Sequence, residues 1–345
     1  MIYTLKKLIV MKTYLKTALI LVLAVVVTAC AENNPRSGKT RSTGNTAEIM
    51  VVVQNPEQWE GRIGDSLRHF FCDYQYGLPQ PEQRYDLKYI MAAGFSDLFK
   101  NTKCIIEVVI DPTLEKAVAE TAEDLWAAPQ RYVKISAPTL TDWVELFDQQ
   151  KEVYLQWFDK VERERILNVL RPTTDLNIEK TIADNFGFTM TVPQGFYVAK
   201  VAPDFMWLRK ELERSSADIV IYRTPYVDTL QFEASSLVAM RNMMEGQHIP
   251  GPSEGSYMGT EVEFVPPMVT TALGYPVGYA KEMRGMWKVE NDFMGGPFVS
   301  YTFVDPRVGK LVTVEGFYYE PNQKKRNMLF QLEALAYSVR FVEEE

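Results

Sequence analysis

Histidine is almost missing from this chain: 345 residues hold only two, His69 and His248, and three cysteines. Zinc and iron sites draw on these residue types at helix or knuckle spacing, and the histidines with Cys72 and Cys104 offer no such cluster. No DxDxDG-type loop points to calcium. The expectation is a protein without metal or other cofactor. Basic charge is short as well, 37 residues against 45 acidic ones for a net charge of −8, which argues against nucleic acid as a partner. Beyond the first thirty positions there is no apolar run approaching the roughly 20 residues that a membrane-crossing helix needs.

What the chain does have is a leader. Lys6, Lys7, Lys12 and Lys16 form a positive opening, no acidic residue precedes Glu32, and residues 17–27 are almost wholly apolar. That run is too short to span a bilayer and fits a secretory signal. It ends Val27-Thr28-Ala29-Cys30, which resembles the bacterial lipobox, so residues 1–29 are read as a lipoprotein signal peptide and Cys30 as the lipidation site. The resemblance to bacterial lipoproteins and their sorting rule implies, from Ala31 in place of an aspartate after the cysteine, the outer membrane, on its periplasmic or surface face. The remainder has 33 basic and 45 acidic residues, net −12. Such a body does not lie on anionic lipid by charge; its membrane partner is reached through the N-terminal lipid (palmitate among the chains). Residues 30–46 carry no large apolar group and read as a flexible tether.

Two folded domains are expected, 47–172 and 173–345. In the first, EIMVVV at 48–53, then 85–90, CIIEVVI at 104–110 and YVKIS at 132–136 read as strands. Trp59, Ile63, Leu67 and Phe70 mark one helix, and Trp143, Phe147, Tyr154, Phe158 and Val161 mark a long one over 142–170 that Pro172 stops. The segment 113–126 reads as helix on propensity. Interleaved strands and helices imply an N-terminal α/β-type layered domain. The second domain has strand patterns at 196–201, 205–208, 219–223, 261–265, 278–289, 298–304 and 311–319, with a hairpin turn at 305–309. One helix is expected over 232–245 with Gly246 as its C′ residue, and a closing helix carries Met328, Leu332, Leu335 and Val339. The class is α+β, its C-terminal part an antiparallel sheet with helices on one face.

Several segments carry a family resemblance: the lipobox start, Val51-Val-Val53 leading to Trp59, GLPQPE at 77–82, HIPGPSEGSYM from 248, MGGPFVSY from 294 and KKRNMLFQLEALAYS from 324. Together they resemble domain-of-unknown-function family 4837, a set of bacterial envelope lipoproteins, over essentially the whole exported chain. The resemblance implies location and architecture; no activity comes with it. The second half also resembles Mog1/PsbP-like domains, in its Pro193-Gln-Gly195 turn and in a final helix running into Ser338-Val-Arg-Phe341.

Gly251-Pro252-Ser253-Glu254-Gly255 spells the G-x-S-x-G of a nucleophile elbow. That device needs a strand before the serine and a helix after it, whereas here a helix precedes and both histidines come earlier. The reading is a loop. The loop-rich stretch 246–297, with His248, Tyr257 and Trp287, is the expected interaction surface. Lys324, Lys325 and Arg326 crowd the start of the last helix, where the dipole already favours an anion, and are candidates for holding a phosphate or carboxylate. Cys72 and Cys104 suit buried thiols; their spacing leaves pairing undecided. The function expected is a lipid-anchored envelope protein that binds a protein or small-molecule partner without turnover. The alternatives are an envelope hydrolase using Ser253 or the acidic pair Glu261 and Glu263, and a structural component of an envelope assembly.

Overall fold

The computed structural model describes residues 38–342; the leader and Cys30 fall outside that range. The first part opens with β1 (Glu48–Val53), α1 (Pro56–Glu60), α2 (Arg62–Phe71), β2 (Asp86–Met91), α3 (Asp97–Lys100), β3 (Cys104–Ile110), β4 (Val118–Glu123), β5 (Arg131–Ala137) and α4 (Leu140–Leu170). Among the described residues these strands form a five-stranded sheet in the order β2-β1-β3-β5-β4, parallel except for the β5–β4 edge pair. Alternate residues of β1 and β3 go to opposite faces, as a period of two requires. Ile49, Val51, Ile106 and Val108 enter the main core with α2 and α4, while Met50, Val52 and Ile105 pack under Phe95, Phe99 and Trp126.

Two expectations change here. The stretch 113–126 contains the edge strand β4, pairing residue by residue with β5. Alanine and glutamate are good helix formers, but propensity yields to tertiary context, and the ladder beside β5 outweighs it here. Residues 42–45 are fastened to the body although they read as tether. Ser42 N–H donates to Ala128 O at 3.2 Å, Thr43 N–H to Asn101 O at 2.8 Å, and Lys103 N–H to Thr43 O at 3.1 Å. Backbone pairing of this kind needs no large apolar side chain, so composition gave no sign of it.

The second part contains α5 (Leu176–Phe186), β6 (Tyr197–Ala202), β7 (Phe205–Glu211), β8 (Ser216–Pro225), α6 (Ala234–His248), β9 (Tyr257–Glu261), β10 (Met268–Thr271), β11 (Ala280–Glu290), β12 (Gly295–Asp305), β13 (Lys310–Tyr319) and α7 (Arg326–Ala336). Among the described residues it is an eight-stranded curled antiparallel sheet, ordered β9-β11-β12-β13-β8-β7-β6, with β10 alongside β11 next to β9. Ile219, Ile221, Val312 and Val314 face α7, and Val220, Tyr222, Phe298 and Phe317 face α6. The α+β class stands, and in detail helices cover both faces of this sheet. A Cβ at Gly316 would lie 2.6 Å from Leu332 Cβ, so that glycine lets α7 settle close. Helix α6 runs through Gly246 to His248. Gly246 is not a C′ residue; a side chain there would crowd Met258 O and the Tyr257 ring of β9. Strand β9 ends where a strand was expected to begin.

The two parts share one core. Buried residues of β1, α2, α4, α5, β8, β12, β13 and α7 belong to a single cluster.

A candidate binding cleft between the two parts

Helix α4 begins at Thr139, whose hydroxyl accepts the Asp142 N–H, and runs 31 residues past α7. Its inner stripe fills the core and its next stripe lines a cleft of about 900 Å³. The opposite wall comes from β10 and the residues after it, from β11 and from α7, and one rim is the 73–76 loop.

Paired charges line this cleft. Arg84 Nη2 lies 2.6 Å from Asp159 Oδ2, and the Tyr85 hydroxyl donates to Asp159 Oδ1 at 2.8 Å. Arg163 Nη1 donates to Glu333 Oε1 at 2.8 Å, and Arg284 Nη2 to Glu333 Oε2 at 2.5 Å. Arg284 also reaches Glu282 at 2.5 Å, where the Tyr301 hydroxyl donates too. The Arg163 guanidinium lies over the Tyr337 ring at 3.9 Å. Three cations therefore meet three carboxylates. Burial pushes the Glu333 carboxyl up, but Arg284 and Arg163 more than reverse this and hold it at about 2. Burial opposes the charges of Arg84, Arg163 and Arg284 too, and their carboxylate partners leave all three above the ordinary arginine value. General acid–base chemistry wants a group near its working pH; Glu333 and the three arginines are shifted away from it. Trp157, Tyr74, Tyr76 and Tyr337 add aromatic surface.

GLPQPE at 77–82 joins the parts beside this cleft. Gly77 takes φ +83° and packs on Gly285, where a Cβ would come 3.0 Å from the amide nitrogen. At the other end of the motif, Glu82 caps α7: its carboxylate accepts the amides of Lys325 at 2.7 Å and Arg326 at 3.2 Å. The anion expected at the start of that helix is therefore a side chain of the protein. Arg326 is further held by Gln83 O and Asp86, and Lys325 Nζ donates to Gln323 O. Lys324 is exposed.

The other residues singled out from sequence lie away from the cleft. Ser253 Oγ donates to Asp292 Oδ2 at 2.5 Å, and Ser256 N–H closes the turn onto Ser253 O. That hydrogen bond, with the Phe293 amide, holds the Asp292 carboxyl below its ordinary value, the wrong direction for a base. A helix precedes the loop and a strand follows, the reverse of an elbow. Glu261 accepts the amides of Glu263 and Phe264, which lowers its pKa; the acidic pair organises a turn. His248 ends α6 and stacks on Phe205 at 4.2 Å, and burial, then the Lys200 charge, lowers its pKa. Trp287 is buried in β11, donating to Tyr318 O at 3.3 Å, and borders a smaller apolar cleft of about 210 Å³ with Trp207, Pro250 and Pro252. Tyr257 is exposed on β9. Cys72 and Cys104 are free thiols.

The stretch 246–297, expected as an interaction surface, supplies one wall of the cleft, but sequence reasoning missed the cleft's charged residues because they look solvated in a linear pattern. One signal was present: Glu333 sits inside LFQLEALA, where a lone carboxylate on an apolar helix face implies a buried partner.

Comparison with known families follows the same division. Residues 42–171 match a domain of unknown function, DUF8532, and residues 175–338 match a domain of unknown function, DUF4837. The chain carries a DUF8532 domain followed by a DUF4837 domain. The likeness to family 4837 is thus confined to the second part, and the Val-Val-Val strand, Trp59 and GLPQPE belong to DUF8532. The cleft lies between the two. No curated protein sequence matches the chain. Among solved structures, the Ran-binding protein Mog1p of Saccharomyces cerevisiae is 10% identical with a TM-score of 0.30, covering 46% of this chain and 91% of that one. A Mog1 point mutant is 12% identical with a TM-score of 0.24, covering 46% and 92%. Neither likeness bears on what this chain binds.

Proposed function

We propose that this chain is a lipid-anchored protein of the cell envelope, attached at Cys30 to the outer membrane, that holds a ligand in the cleft between its DUF8532 and DUF4837 domains without turning it over. The observation that carries the binding reading is the cleft itself: about 900 Å³ of concave surface at a domain junction, the usual place for a ligand site. Its paired guanidinium and carboxylate groups give a stiff polar wall, and Trp157, Tyr74 and Tyr337 give apolar contact. Fixed charges of this kind suit recognition better than proton transfer. The lipobox-like VTAC and the leader before it support the anchor.

A photo-crosslinking amino acid at Tyr74, on the cleft rim, tests the reading in living cells. The expected result is a discrete adduct that is missing when the same group replaces Leu98, which is 73% exposed on α3 outside the cleft lining. Equal labelling at both positions, or none at either, contradicts a ligand in the cleft.

A further inference from the structure

Strand β10 pairs on one side only. Its four residues lie opposite 281–284 of β11, and among the described residues no backbone hydrogen bond leaves its other edge. The register says which groups are left over. Ala272 N–H donates to Ala280 O, so 272 and 280 form a hydrogen-bonded antiparallel pair. Such pairs alternate along the ladder, which makes 270 with 282 and 268 with 284 the next ones. Val269 and Thr271 therefore turn their N–H and C=O groups outward. Met268 and Thr270 line the cleft with their cross-strand partners Arg284 and Glu282, as alternate residues of one sheet face do. Thr271 and the turn residues 272–274 continue that lining, so the free edge borders the cleft at Thr271.

We propose that the ligand is an extended peptide segment of a partner protein, which adds a strand to β10 by pairing with Val269 and Thr271. This rests on the cleft being the binding site and names the ligand class. An edge with two donors and two acceptors in register complements a peptide backbone. The surrounding charges are nearly balanced, with Arg84, Lys160, Arg163, Arg171 and Arg284 facing Asp73, Glu152, Asp159, Glu164, Glu282 and Glu333. The segment accepted is accordingly one of low net charge, with Trp157 and Tyr74 as contact surface for its side chains. Free edges are commonly blunted by charge, proline or cover. Here Pro266 and Pro267 stand before the strand and leave 268–271 open, while the Tyr76 hydroxyl bonds Pro266 O and fixes the approach.

The test uses linear peptides displayed on phage, selected against the full-length protein in detergent, with the best binder then synthesised. Bound peptide is expected to slow amide exchange at Val269 and Thr271 by roughly tenfold or more. Val269→Pro, tolerable on an edge, and N-methylation of alternate peptide residues are each expected to weaken binding roughly tenfold; the second leaves the protein untouched. If Trp157→Ala weakens the peptide but Val269→Pro and N-methylation do not, the edge pairing is overturned while the cleft reading stands. No selected peptide, or one insensitive to all three changes, also overturns the edge pairing, and Tyr74 crosslinking then judges the cleft separately. Protection of the same amides by self-association without peptide overturns it in favour of a second copy of the chain.

Discussion

The Glu82 carboxylate lies 2.7 Å from the amide of Lys325, 243 residues further along. A helix N-terminus has unpaired N–H groups and a partial positive charge, and here the DUF8532 domain supplies the anion that the last helix of the DUF4837 domain lacks. Lys325 at the N-cap position makes no side-chain cap bond of its own.

Removing that cap is therefore expected to loosen the junction. Glu82→Ala is predicted to cost about 2 kcal/mol, read as a lower urea midpoint. Unchanged stability, or loss of DUF8532 structure with α7 intact, contradicts the assignment.

Glu333 is predicted to matter more. Glu333→Ala leaves Arg163 and Arg284 buried without their shared carboxylate, a change worth about 3–5 kcal/mol. Its folded pKa, about 2, lies below the unfolded value. The stability it contributes is therefore complete above the ordinary glutamate range and lost as pH falls towards 2. Urea titrations from pH 6 to pH 3 are expected to show that acid-side loss in wild type and a shallower one in Glu333→Gln.

Glu245 behaves in the opposite sense. Arg241, Glu245 and Glu315 are all fully buried, with Arg241 at 2.8 Å from Glu245 and 2.7 Å from Glu315. One guanidinium faces two carboxylates. Burial first, then the Glu315 charge, raises the Glu245 pKa well above normal although Arg241 opposes this. A raised folded pKa means stability that is complete below the ordinary glutamate value and declines as pH rises above it. Glu245→Gln is predicted to gain on wild type between pH 5 and pH 8 in the same titrations. A constant difference between the two proteins contradicts a proton on Glu245.

Ser253→Ala loses one exposed hydrogen bond to Asp292. Its stability is expected to stay within about 0.5 kcal/mol of wild type, and a fluorophosphonate probe should leave the wild-type serine unlabelled. Stoichiometric labelling of Ser253 contradicts the loop reading.

Much of the fold could be read from periodicity. The apolar runs at 48–53 and 104–110 became parallel central strands, and the aromatic stripe from Trp143 to Val161 became the buried face of α4. The misreadings have local causes. Propensity favoured helix at 113–126, where a neighbouring edge decided for strand. Glu261 mimicked the start of a strand while capping a turn. Gly246 looked like a helix stop because a glycine signals both a terminus and a close approach. The cleft depends on Arg84, Asp159, Arg284 and Glu333 meeting from distant segments, and no spacing along a chain encodes such a meeting.

The central claim is that a lipid on Cys30 ties this body to the envelope, and metabolic labelling with radioactive palmitate addresses it most directly. Wild-type protein is predicted to take up label and fractionate with outer membrane, and Cys30→Ser to do neither. Unlabelled wild-type protein recovered in a soluble fraction would contradict it.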